Sequence, residues 1–200
     1  MAVDIDGVNS TISTDKLIPQ SGTALQIGES GDTVTLVGSA VGFGGGKILQ
    51  AIKGTVKGDS FSSTSASFVD VTGVNATITP SATSSKILVM MNASIANGSA
   101  DYATMVRVVT STATEIFTGT SLGSRQSAFG GTGAPYGTNG MSNITSVFIH
   151  EPATTSALTY KLQVYCENAG TAWVGTNGTH GTGVRDLHTP TYINLMEIGA

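Results

Sequence analysis

The side chains in this 200-residue sequence that are able to do chemistry are few and scattered. His150, His180 and His188 are its only histidines, and Cys166 its only cysteine. A zinc protease needs two histidines four residues apart on a helix, and a structural zinc site needs a Cys/His cluster. Neither pattern occurs. The histidines read as solvated loop residues, and no metal or cofactor is expected, although a single histidine on a trimer axis can build a threefold site. Serine is too abundant to mark a nucleophile, and no Gly-x-Ser-x-Gly elbow is present. Cys166 falls at the inward phase of an alternating segment, where a free cysteine packs as a small apolar group. The acidic residues show no local clustering beyond Asp4 and Asp6. Catalysis is not expected.

Two further features invite a ligand. Gly42, Gly44, Gly45 and Gly46 precede Lys47, but the P-loop spacing is missing and no Ser or Thr follows the lysine. The run reads as a hinge, because glycine adopts backbone angles other residues avoid. Phe129, Tyr136 and Trp173 lie in glycine-rich stretches where exposed rings stack on sugars, with Arg185 close to the last of them. Rings that cover the ends of a β-sandwich or a subunit interface are the competing reading. Six Asn-x-Ser/Thr triplets, from Asn9 to Asn177, are what a chain rich in Asn, Ser and Thr produces by chance.

Composition limits what must position these residues. Hydrophobic residues make up 40%, while charged residues make up only 11%, against roughly 25–35% on a well-solvated surface. Neutral polar residues keep a surface wet without repelling a neighbouring subunit, so this balance favours assembly. Adaptation to an extracellular setting is the alternative. Nine Lys and Arg and a net charge of −4 leave no basic stripe for phosphates, so nucleic-acid binding is not expected. No apolar run reaches the roughly 18 residues that span a bilayer, and the N-terminus lacks the pattern of a signal peptide. Synthesis in a cytoplasm without ordinary export is the expectation, with no membrane partner.

The chain divides at the glycine run. In residues 1–46, Ser21–Ile27 and Ser30–Leu36 repeat a turn and a short strand at period nine, with Leu25 matching Val34 and Ile27 matching Leu36. Two such units cannot build a core alone, so Ile18, Leu25, Ile27, Val34 and Leu36 are expected to dock on sister chains or a partner. Residues 47–200 alternate strands with turns. Ile87, Val89, Met91, Ala93 and Ile95 share one face of a strand at period two, as do Leu162 and Val164 of a second. Further strands fall at about 48–57, 67–79, 102–109, 113–118, 143–150, 171–175 and 191–198. The fold class is therefore all-β: an extended N-terminal arm, then a jelly-roll-like antiparallel β-sandwich. Residues 119–140 and 168–190 read as long loops, suited to ligand or subunit contacts.

Several segments also resemble a known family. Gly46-Lys47-Ile48-Leu49-Gln50, Ser67-Phe68-Val69-Asp70-Val71-Thr72-Gly73, Ile78-Thr79-Pro80-Ser81, Ser84-Ser85-Lys86-Ile87-Leu88-Val89, the stretch from Pro152 to Tyr160 and the closing Met196-Glu197-Ile198 are similar to a β-rich module of tailed-phage virion proteins. Asp15-Lys16-Leu17-Ile18-Pro19 with Ser21-Gly22-Thr23 resembles the arms that precede such modules. The resemblance implies a homotrimer on the virion surface and brings no catalytic residue. A capsid decoration or cement protein, held to the major capsid protein through its arm, is the first expectation. A short tail-fibre or receptor-binding protein, docked on a tail protein and touching host surface glycan, is the second.

Overall fold

The computed structural model describes residues 47–99, 101–112, 115–132, 140–168, 170–177, 183 and 187–199. The arm residues Ile18, Leu25, Ile27, Val34 and Leu36, the hinge Gly42, Gly44, Gly45 and Gly46, and Tyr136 and Arg185 lie outside them. Among the described residues there is no helix. The described residues form eleven strands, in order: β1 (Ile48–Lys53), β2 (Phe61–Ser63), β3 (Val69–Ile78), β4 (Lys86–Asn97), β5 (Thr104–Thr110), β6 (Glu115–Ile116), β7 (Gly130–Thr132), β8 (Ser142–His150), β9 (Leu158–Cys166), β10 (Ala172–Val174) and β11 (Tyr192–Ile198).

Their pairing is nested. β1 pairs with β11, β3 with β9, β4 with β8 and β5 with β6, all antiparallel. Rolling such a ribbon gives two facing sheets, β1-β11-β4-β8 and β3-β9-β5-β6, which is the jelly roll. Short strands complete the sheets: β10 continues β11 along one side of β4 and carries β2, while β7 pairs with β5.

Alternation explains which faces meet. Ile87, Val89, Met91, Ala93 and Ile95 of β4 are buried against Tyr160, Leu162, Val164 and Cys166 of β9, with Val106 and Val108 of β5 and Ile193 and Leu195 of β11 in the same core. At about 1.5–3 kcal/mol for each large apolar side chain buried, this face stabilises the sandwich. β1 ends at Lys53, short of residue 57, because the next residue is enclosed. A Cβ on Gly54 would overlap the Ile193 carbonyl oxygen of the neighbouring β11 and crowd Asn75 and Ala76 of β3 in the facing sheet, so only glycine lets the two sheets approach there. The strand expected at 113–118 has its last residue at Ile116, since Phe117 turns into the left-handed region at φ 54°. Both long loops contain strands, β7 in the first and β10 in the second.

Candidate functional site

The most unusual local geometry lies where the rim of β6 meets the edge strand β8. A bulky residue at positive φ is uncommon and strained, at a cost of about 1–3 kcal/mol. Here the turn lays the Phe117 ring flat on Phe148 of β8, with centroids 4.7 Å apart and planes within 2°. Phe129 completes the cluster, tilted at 6.0 Å from Phe117 and 6.4 Å from Phe148. Phe148 is buried, Phe129 half-buried and Phe117 59% exposed. The connecting loop is tied to itself: Gly119 N donates to the Ala128 carbonyl at 3.2 Å and Ser127 Oγ to the Gly119 carbonyl at 2.6 Å. Phe129 N donates to the Val106 carbonyl at 2.9 Å, anchoring the ring beside β5. Phe117, Gly119 and Phe129 line a shallow cleft of about 220 Å³. A polar cleft of about 430 Å³ opens along the same loop, between Arg107, Glu115, Ser121 and Gln126.

Of the aromatic residues picked out in the sequence, Phe129 belongs to this corner. Trp173 sits apart from it, half-buried in β10 opposite Ala96 and Ser62. Sequence reasoning passed over Phe117 and Phe148. The period-two alternation of β8 puts Phe148 in phase with Ile144 and was the available signal; nothing in the sequence marks the left-handed turn at Phe117.

A second constellation gathers three segments far apart in the sequence, around Gln50, Ser81 and Glu197. Glu197 of β11 is completely buried. It accepts hydrogen bonds from Gln50 Nε2 at 2.6 Å, Ser81 N at 2.7 Å and Ser81 Oγ at 2.6 Å. Gln50 also donates to the Thr79 carbonyl at 2.8 Å. Burial would raise the carboxyl pKa, but the Gln50 and Ser81 donors outweigh it and hold the group at about 2. No cation pairs with Glu197 among the described residues. A carboxylate enclosed this way fastens β1, β11 and the β3–β4 connection together, which gives those segments a structural role.

His150 ends β8 facing inward, its Nδ1 2.8 Å from the hydroxyl of the fully buried Tyr160. Burial lowers the histidine pKa and raises that of the tyrosine. A cleft of about 350 Å³ opens beside it, lined by Thr110, Glu151, Pro152 and Ser156. His188 lies in a bridge to Thr176, away from β8, and His180 is outside the described residues. Cys166 is buried, and burial raises its pKa while Asn97 Nδ2, 3.7 Å from Sγ, opposes the rise. That environment disfavours the reactive thiolate. Among the described residues no three potential metal ligands come together. No helix among the described residues is long and apolar enough to cross a membrane.

No family model and no curated protein matches the chain.

Proposed function

We propose that this chain is a non-enzymatic structural protein of a phage particle, a homotrimeric capsid decoration or cement protein attached through its N-terminal arm. The observation that carries the assembly part is the outer face of the sheet β1-β11-β4-β8. Ala51, Met196, Leu88 and Ile149 form one row across it, and Met90 and Val147 stand in the next. Val147 and Ile149 are 58% and 55% exposed. Contiguous apolar surface of this kind marks an interaction site. The sparse charge of the whole chain and the resemblance to virion modules support the same reading.

Immunolabelling of purified particles tests it. Many copies distributed over the head are expected; a few copies confined to the tail overturn decoration. Deleting residues 1–46 is expected to leave a soluble β domain that no longer binds particles, and normal head binding by the truncated chain would refute the arm's role.

One observation favours a second reading, a short tail-fibre or receptor-binding protein. Phe117 offers an exposed ring beside a polar cleft, an arrangement suited to a host surface glycan. Retention of the chain on immobilised envelope polysaccharide, lost in Phe117→Ala, would support it.

A further inference from the structure

We infer that β8 is the strand on which a second copy of this chain docks, through its unpaired edge together with the outward-facing Val147 and Ile149. The inference deepens the homo-oligomer part of the proposed function and rests on it.

An edge strand exposes a row of backbone donors and acceptors that pairs readily with another strand, so proteins blunt such edges with short length, bulges, proline or charge. The other edges described here are blunted. β1 is flanked by Lys47 and ends in Lys53, and its register shifts between Ile48 and Gln50. β3 carries Asp70, and its register shifts between Asp70 and Asn75, where Gly73 takes φ 82°. β2, β6 and β7 have three, two and three residues.

β8 has none of these devices within its span, and Glu151 and Pro152 come only after its last residue. Its nine residues pair with β4 in unbroken register from Ser142 to Ile95 through His150 to Ile87. It contains no proline and no Asp, Glu, Lys or Arg, and its one histidine turns inward onto Tyr160. Among the described residues no strand pairs with its other side. The same strand turns Asn143, Thr145, Val147 and Ile149 to solvent. Around its inner side lies Phe117, 59% exposed on Phe148.

A copy of the chain fits this surface for two reasons. First, the strand carries no charge and only 11% of the chain is charged, so a sister subunit meets this edge without like-charge repulsion or any need for complementary charge. Second, the contact is long: the nine residues of β8 run about 30 Å, so pairing along the edge with Val147 and Ile149 beside it supplies a substantial part of the about 800 Å² that each partner brings to a stable interface. Flanking contact by Phe117 and its loop lies along the same strand.

The experiment compares the full chain with Val147→Lys/Ile149→Lys, and with Thr72→Lys as a control on the exposed side of β3. Mass is measured by light scattering and native mass spectrometry at micromolar concentration. Both target side chains are more than half exposed, so the lysines leave the β circular-dichroism spectrum unchanged. The wild type and Thr72→Lys are expected to be oligomers. The double variant is expected to dissociate, with the subunit affinity weakened at least about tenfold by two charges placed in an otherwise uncharged contact. Hydrogen exchange reads the edge directly: amides in 142–150 are slow in the oligomer and speed up in the double variant. An oligomer that keeps its mass and its exchange pattern with both lysines in place overturns the β8 assignment but leaves self-assembly standing. A wild type that is monomeric overturns both.

Discussion

The outer faces of the two sheets are built on opposite principles. On β3-β9-β5-β6, polar side chains form a continuous ladder. Gln163 Nε2 donates to Asp70 Oδ1 at 2.7 Å, Arg107 Nε donates to Gln163 Oε1 at 2.8 Å, and Arg107 pairs with Glu115. Lys161 adds an ion pair to Asp70 at 3.0 Å. Phe68 is roofed by the Arg107 guanidinium at 4.0 Å and leans on Tyr165 at 5.5 Å, so even its apolar groups are covered. On β1-β11-β4-β8 the polar contacts stand towards the ends, Lys86 with Glu151 at 2.9 Å and Thr145 Oγ1 donating to Asn92 Oδ1 at 2.8 Å, and the middle of the face is apolar. The carboxylate of Glu197 points inward and is enclosed, while Leu88, Met90, Met196, Val147 and Ile149 point outward. One face is complete in water. The other leaves Val147 and Ile149 more than half exposed.

The sharpest test of this contrast compares one carboxylate from each sheet. Glu197→Ala leaves the Ser81 amide and the Gln50 side chain without their buried acceptor and is expected to cost about 3 kcal/mol in urea unfolding. Asp70→Ala removes exposed partners from Gln163 and Lys161 and is expected to cost about 1 kcal/mol or less, with a further decrease in high salt. Equal losses would abolish the distinction. Acid sharpens it further. The Glu197 pKa is depressed to about 2, so its contribution is present above the unfolded value of about 4.3 and is lost as pH falls towards 2. Asp70 is also lowered, by Gln163 first and then Lys161. The acid-induced loss of stability is expected to shrink more in Glu197→Gln than in Asp70→Asn.

Arg107→Ala comes next, at about 1–2 kcal/mol, because it uncovers Phe68 as well as breaking two polar contacts. Arg107→Lys restores charge but not the flat stacking or the fork, and is expected to recover less than half of the loss. If lysine restores stability fully, the ladder is only charge balance.

Smaller still is the effect of His150, on the inner side of the edge strand. Its folded pKa is lowered by burial, so the neutral form is favoured in the fold. Stability is full above the unfolded value of about 6.5 and declines as pH falls below it. His150→Gln is expected to flatten the decline between neutral pH and the onset of carboxylate protonation, measured as the urea midpoint against pH.

How much of this was legible in the sequence follows from what each feature depends on. The inward faces of β4 and β9 were readable because alternation at period two is local, and Ile87, Val89, Met91, Ala93, Ile95, Leu162 and Val164 are all buried where the pattern put them. The jelly-roll class was readable from strand spacing, whereas the nested pairing depends on contacts between distant segments. β2, β7 and β10 are three residues each; of these only β10 stood within a strand read from the sequence. Phe129 was picked out for its loop, but its partners Phe117 and Phe148 needed the turn at φ 54° to meet. Glu197 stood in a segment noted for resemblance. Its meaning as the acceptor for Gln50 and Ser81 comes only when positions 147 and 116 residues apart are brought together.

The smallest expected effect on the folded chain bears most directly on the contrast between the faces. Ile149→Thr and Val147→Thr keep β-branched side chains in β8 and add no charge. Both positions are more than half exposed, so each is expected to change the unfolding free energy of the isolated subunit by no more than about 0.5 kcal/mol. Association responds differently, because there the same methyl groups leave water. Burying each lost methylene-sized group is worth about 0.8 kcal/mol, and in a symmetric assembly every copy contributes its own. Stability extrapolated to low protein concentration is therefore expected to be level between wild type and Ile149→Thr, while the concentration dependence of the unfolding midpoint weakens in the variant. The matched change on the opposite sheet, Thr77→Val, replaces a hydroxyl hydrogen-bonded to Thr159 with a methyl group and is expected to leave that dependence unchanged. If the two sheets respond alike, the outer face of β1-β11-β4-β8 is ordinary surface, and the difference between the faces has no bearing on assembly.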